Sequence, residues 1–255
     1  MKAKTKTKAL LMSLCAVLLV AASVLGTMAY LTDSKDVKNT FTVGNVAITL
    51  DEAKVDGNGN AINKQGKRVT NLADAERVPG NAYKLLPGHT YTKDPTVTVL
   101  APSVESYVRM KVTFNKASAL IAMCTDPEYG DEVTGVENAF PLIRMVKFVE
   151  ANAAKWDGII PDNMVDTKDM LADPKYIDAK NDTLTYYFYY TEPVAVIDAD
   201  VKLATLFDSI KVPEWATGDQ LKALQGFEIN VVAEAIQADG FENADAAWAA
   251  FAAQK

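Results

Sequence analysis

The chain has 255 residues, 49% of them hydrophobic, with 10 Pro, 13 Gly and a formal net charge of −7. That apolar content excludes disorder over most of the length and suffices for one large core or two modest ones. The acidic balance argues against nucleic acid or an anionic lipid surface as a partner, because like charges repel.

The first predicted element is an export signal. Lys2, Lys4, Lys6 and Lys8 make a basic start, and residues 9–25 are an apolar run broken only by Ser13 and Ser23. The small-residue junction at Thr27-Met28-Ala29 completes the three parts of a secretory signal peptide, with cleavage expected between Ala29 and Tyr30 or a residue away. The competing reading is a retained anchor, since an apolar stretch over 9–31 is just long enough to cross a bilayer. Contact with a membrane is expected only through the uncleaved signal. Cys15 is no lipidation site, because Leu14 before it is large and the apolar run continues past it. Residues 1–29 are thus read as signal and 30–255 as one exported domain. Removing the four signal lysines from 26 basic residues against 33 acidic ones takes the charge from −7 to −11. Only Cys124 then remains, so no internal disulfide can form and stability must come from the core.

After the junction, residues 41–50 read as a strand in which Phe41 and Val43 share one phase and Val46, Ile48 and Leu50 the other. The switch at Gly44-Asn45 predicts a β-bulge. Residues 51–81 lose apolar density and read as a loop or long hairpin. Within it Asp56, Asn58 and Asn60 mimic the opening of a calcium loop, but Ala61 stands where the sharp turn needs Gly and Lys67 where the bidentate Glu belongs. A Pro-Gly turn at 87–88 leads to a strand over 96–100. Residues 107–114 alternate without error, with Val108, Met110, Val112 and Phe114 opposite Tyr107, Arg109, Lys111 and Thr113. That is a half-buried antiparallel strand.

Residues 117–123 and 141–156 have near-helical spacing, the second through Leu142, Met145, Val146 and Val149, and 116–182 reads as a helical and loop insertion. Residues 183–191 form a strand with aromatics on both faces, as a central or covered strand would have. An amphipathic segment over 203–212, a helix start at 218 and a long strand over 227–237 follow. An alanine-rich helix over 243–253, capped by Asn243, closes the chain. Strands at both ends and in the middle predict a mainly β protein, an antiparallel β-sandwich with short helical insertions and a C-terminal helix.

Candidates for chemistry are few. HExxH, CxxC, GxSxG and the P-loop pattern are all missing, and a thiol nucleophile at Cys124 would need a base. The sole histidine, His89, sits in the Pro-Gly turn. No catalytic residue, metal ligand or cofactor is expected, and the chain is read as a non-enzyme. A glycosidase carboxylate pair, whose signature is spatial, stays as the less favoured alternative of a secreted hydrolase.

Three blocks carry a resemblance. Ala29-Tyr30-Leu31-Thr32-Asp33, followed by 39–46 (Asn39-Thr40-Phe41-Thr42-Val43-Gly44-Asn45-Val46), resembles the start of the TasA/camelysin family, exported proteins processed by the signal peptidase SipW. Residues 83–95, from Tyr83-Lys84-Leu85-Leu86-Pro87-Gly88 to Lys93-Asp94-Pro95, are similar to the turn-and-strand region of clostridial members. Residues 235–241 with Ala246-Ala247-Trp248 are similar to their C-terminus. The resemblance implies a jelly-roll-like sandwich, a place in the extracellular matrix or at the cell surface, and a SipW-type peptidase as partner during export. It also implies biofilm fibres in which each subunit donates its N-terminal strand to the next. On that basis residues 30–41 are the expected donor segment, with Tyr30, Leu31, Val37 and Phe41 as the side chains for the acceptor groove. Camelysin's description as a metalloprotease finds no motif here and is not carried over. The alternative is a monomeric extracellular binding or adhesion module.

Overall fold

A computed structural model describes residues 32–35 (backbone only), 46–124, 145–158 and 176–254. In chain order its strands are β1 (Thr32–Lys35), β2 (Ile48–Ala53), β3 (Arg77–Val78), β4 (Thr90–Thr92), β5 (Thr96–Val99), β6 (Ser103–Asn115), β7 (Val146–Phe148), β8 (Trp156–Asp157), β9 (Ile177–Asp178), β10 (Thr183–Tyr190), β11 (Val194–Val196), β12 (Val201–Lys202), β13 (Phe207–Lys211) and β14 (Ile229–Gln237). The α-helices among the described residues are α1 (Ala117–Cys124), α2 (Gly218–Ala223) and α3 (Ala244–Ala253).

The protein is mainly β and antiparallel, as the alternation patterns predict. The largest sheet runs β1-β14-β6-β10-β8, with β11 beside β6 and β9 beside β10. Two smaller sheets run β12-β5-β2-β3 and β4-β13-β7. At its centre β6 is paired on one side with β14 and on the other with β10, so Met110 lies between Ala233 and Phe188.

Period-two geometry then decides what each face carries. Val108, Met110, Val112 and Phe114 of β6 point inward, each 0–1% exposed, with Leu184 and Phe188 of β10 and Ala233 and Ala235 of β14. The layers are joined there: Phe148 of β7 meets Phe188 of the large sheet at 5.8 Å and Phe207 of β13 at 6.4 Å, ring to ring. The strand β2 packs against β14 from the second sheet.

The opposite face of the large sheet is also covered. The helix α3 starts at Asn243, whose side chain accepts from the Ala246 amide, and lays Ala247, Trp248 and Phe251 on Ile236, Tyr107 and Tyr189. Arg109 lies under this helix. Its guanidinium is 4.1 Å from the Trp248 ring centroid and 4.7 Å from that of Tyr187. Its Nε donates to Glu234 Oε2 at 2.7 Å, across the β6–β14 pair. Cation–ring and ion-pair contacts thus join the helix to both neighbouring strands. Covered faces on both sides are the reason β10 carries aromatics in both phases.

One expected element is corrected. Of residues 141–156, predicted to be helical, 141–144 lie outside the described residues and Met145 has helical backbone, but Val146–Phe148 is a strand, Glu150–Lys155 a 3-10 turn and Trp156–Asp157 a strand again. β-Branched Val146 and Val149 suit extended backbone, and side chains fix the segment from outside. Asn152 Nδ2 donates to the Thr205 carbonyl and Trp156 Nε1 to that of Ala204, both at 2.8 Å. The described parts of 116–182 supply β7, β8 and β9 to the sheets. The predicted bulge at Gly44-Asn45 lies outside the described residues, whereas the strand from Ile48 continues to Ala53, past the expected end at Leu50.

Truncating Phe188 to Ala, in the layer between the sheets, is expected to cost roughly 3–5 kcal/mol in urea unfolding.

Candidate functional site: a sheet edge and the polar cluster beside it

The large sheet ends in β1. Thr32–Lys35 pairs with the second half of β14, in the register Thr32↔Ile236, Asp33↔Ala235, Ser34↔Glu234 and Lys35↔Ala233. Beyond β1 the sheet path has no further strand among the described residues. This is where the sequence expected a donor segment, and four residues of 30–41 do form a strand on the edge of their own domain. The predicted donor side chains of Tyr30, Leu31, Val37 and Phe41 lie outside the described residues. So does the predicted cleavage junction at Thr27, Met28, Ala29 and Tyr30. Among the described residues no helix is long and apolar enough to cross a membrane.

The first half of β14 borders something different. A cleft of ≈ 160 Å³ is lined by Asp51, Glu52, Asn81, Lys93, Ile229 and Val231, among others. Its floor is a buried polar cluster in which β2 meets the chain between β3 and β5. Asp94 accepts from the Ala53 amide at 2.6 Å and from Arg77 Nη1 at 2.5 Å. Arg77 also reaches Asp51, with Nε on the carboxylate at 2.8 Å and Nη2 on the carbonyl at 2.9 Å. Burial would lower the Arg77 pKa, but the carboxylates of Asp94 and Asp51 outweigh it and hold the guanidinium above its ordinary value.

Glu52 is 3% exposed and carries a different partner on each carboxylate oxygen. Lys93 Nζ donates to Oε2 at 2.7 Å, and Asn81 Nδ2 donates to Oε1 at 2.8 Å. The rest of the Asn81 amide is also held: Nδ2 donates to the Ala53 carbonyl at 2.8 Å, and Oδ1 accepts from the Val55 amide at 2.9 Å. Tyr83 lies alongside, its ring centroid 6.0 Å from Lys93 Nζ and its hydroxyl donating to the Thr92 carbonyl. Burial first, then the nearby Glu52 charge, pushes the Tyr83 hydroxyl well above the usual phenol range.

Both oxygens of Asp56 are engaged within its own turn and by Arg68. Its Oδ1 accepts from the amides of Asn58 and Asn60, and its Oδ2 from Arg68 Nε at 2.7 Å. Burial opposes ionisation, yet the Asn60 amide, Arg68 and the Asn58 amide prevail and bring the carboxyl down to about 2. Gly59 closes this turn at φ 77, its N–H donating to the Asp56 carbonyl at 2.9 Å. Tyr91 lies against it so closely that a Cβ there would be 2.3 Å from the ring. His89 is used for structure, Nε2 bonding the Asn58 carbonyl at 2.6 Å. Cys124 is buried at the end of α1 and is not in a disulfide.

No family model, no curated protein and no solved structure matches this chain. Among the described residues no group of three or more His, Cys, Asp or Glu is placed to hold a metal ion. Sequence reasoning did not single out Glu52, Asn81 or Lys93. Its one available signal was charged residues set directly against strand-forming ones, as in Thr49-Leu50-Asp51-Glu52-Ala53 and Lys93-Asp94-Pro95-Thr96-Val97.

Replacing Arg77 with Met would leave Asp94 buried without its cation and is expected to cost roughly 3–5 kcal/mol by urea unfolding. The Asp56 turn has a depressed folded pKa, so its stabilisation is present above 3.8 and lost as pH falls through about 2. Amide protection at residues 58–60, taken as exchange relative to the intrinsic rate at each pH, should fall across that window in the native chain. In Asp56→Asn the protection of the same amides should show no such pH step.

Proposed function

We propose that this chain is a secreted structural protein of the cell surface or biofilm matrix, which polymerises head to tail by exchanging its N-terminal segment. The observation that carries the reading is the position of β1, which pairs with β14 at the end of the large sheet. A strand edge without its neighbour exposes a row of backbone donors and acceptors. Residues 32–35 satisfy that row within one chain, and the same residues of a second copy can form the same bonds with the same register. Exchange therefore leaves the hydrogen-bond count unchanged, and a head-to-tail contact of this kind does not close on itself. The basic-apolar-small pattern of residues 1–29, the acidic mature charge and the family resemblance support the extracellular placement.

The balance between the two forms is set by concentration. A tethered segment competes at an effective concentration on the order of mM. Exchange between copies is then favoured where secreted protein accumulates.

Electron microscopy of the processed protein at high concentration and in mild acid is expected to show fibres, and a form lacking residues 30–41 to show none. Fibres from the shortened form would overturn the proposal. In an antiparallel edge strand alternate N–H groups face the partner, so one of Asp33→Pro and Ser34→Pro must remove a bond to β14. That variant should lose assembly while keeping its fold. A native protein that sediments as a monomer under all these conditions would instead favour a monomeric binding module.

A further inference from the structure

The polar cluster beside the sheet edge contains an amine, a carboxamide and a carboxylate in one chain of hydrogen bonds. Lys93 is 7% exposed and Glu52 3%, so the ammonium and the carboxylate meet with little water between them. Glu52 holds the two other groups on its two oxygens, Lys93 Nζ at 2.7 Å and Asn81 Nδ2 at 2.8 Å. A buried ion pair of this kind returns little net stability, because desolvation offsets most of the attraction. Its geometry, however, is that of a base set between a nucleophile and the leaving group of an electrophile.

We infer that Lys93 and Asn81 become joined by an amide bond between Nζ and Cγ, formed in the folded protein with Glu52 relaying the protons. Glu52 Oε2 takes a proton from the Lys93 ammonium across their hydrogen bond and leaves a neutral amine. The amine nitrogen attacks Asn81 Cγ, and negative charge gathers on Oδ1. The Val55 amide, 2.9 Å from Oδ1, donates to that oxygen as the charge builds. The Cγ–Nδ2 bond then breaks as Nδ2 receives the proton held on Glu52. The other proton on the attacking nitrogen passes to Glu52 or to the departing ammonia. The products are a secondary amide and one ammonia, released as ammonium, with no oxidant, reductant or cofactor required. The Ala53 carbonyl, 2.8 Å from Nδ2, orients the amide during this sequence. The ≈ 160 Å³ cleft lined by Asn81 and Lys93 gives ammonia a way out. Asn81 is the electrophile and Glu52 is not, because an ionised carboxylate resists attack by an amine. Folding makes the reaction intramolecular, with amine and carboxamide held on the two oxygens of one carboxylate.

The bond would tie the chain before β4 to the residue just after it, in a protein whose single mature thiol is buried. It stands whether or not the chain polymerises.

Intact mass spectrometry of the purified native protein is expected to give a mass lighter by one ammonia than the sequence counted from its own N-terminus. Trypsin should fail to cut after Lys93 and yield a branched peptide joining residues 78–84 to 85–109. Glu52→Gln, folded by circular dichroism, should keep its full mass, since it cannot accept the lysine proton. Asn81→Ala, folded by the same criterion, should also keep its full mass, since it has no carboxamide for the amine to attack. A native protein of full sequence mass that trypsin cuts after Lys93 would overturn the inference, and that reading needs no variant to fold. Undiminished ammonia loss in Glu52→Gln would overturn the role given to the carboxylate.

Discussion

The antiparallel register of β6 between β14 and β10 is the constraint on which the other parts depend. Side chains alternate along a strand, so a slip of one residue would exchange the two faces of the central strand. Val108, Met110, Val112 and Phe114 would then meet α3, and Arg109 would enter the layer between the sheets. The native register keeps Arg109 opposite Glu234 and under Trp248. It also sets where β14 begins and ends, and so where the polar cleft stops and the β1 edge starts.

Charged groups are buried on both sides of this arrangement, and their energetics are similar. Arg109–Glu234, Lys93–Glu52 and Arg77–Asp94 all unite a cation and a carboxylate that are largely withdrawn from water. Such pairs add little net stability over well-packed apolar residues, whereas breaking one leaves a buried charge without compensation. Their effect is on specificity. A packing that placed α3 elsewhere, or that shifted the chain between β3 and β5, would separate a cation from its carboxylate. The apolar layers select a sandwich, and the ion pairs narrow the choice of sandwich.

How much of this was legible in the sequence depends on whether the cause was local. The strand over 107–114, the strand over 227–237, the helix capped by Asn243 and the two-faced aromatic strand were all read from alternation, periodicity and capping. Those signals lie within a few residues of the structure they specify. Of the segment over 141–156, the part over 146–156 was misread because Leu142, Met145, Val146 and Val149 fit helical spacing, while the decisive contacts come from residues 204–210. The polar cluster was invisible for the same reason: Glu52, Asn81 and Lys93 lie up to 41 positions apart and meet only when β2 pairs with β5. A turn-rich composition over 51–81 suggested a loop or a long hairpin, and the part of it nearest β2 is tied down by Asp94 and Asn81.

The turn at Asp56 illustrates a further effect of such fixing. An Asn-Gly step in a loose chain ages chemically, because the glycine nitrogen can swing onto the asparagine side-chain carbonyl and close a five-membered imide. At Asn58-Gly59 that nitrogen already donates to the Asp56 carbonyl, and the glycine carbonyl accepts from the Thr92 amide at 2.8 Å. Tyr91 fills the space on the other side of the glycine. Ring closure would require the turn to open and the tyrosine to move away. The dipeptide that composition alone marks as the most perishable in the chain is therefore held in a form that slows its own decay.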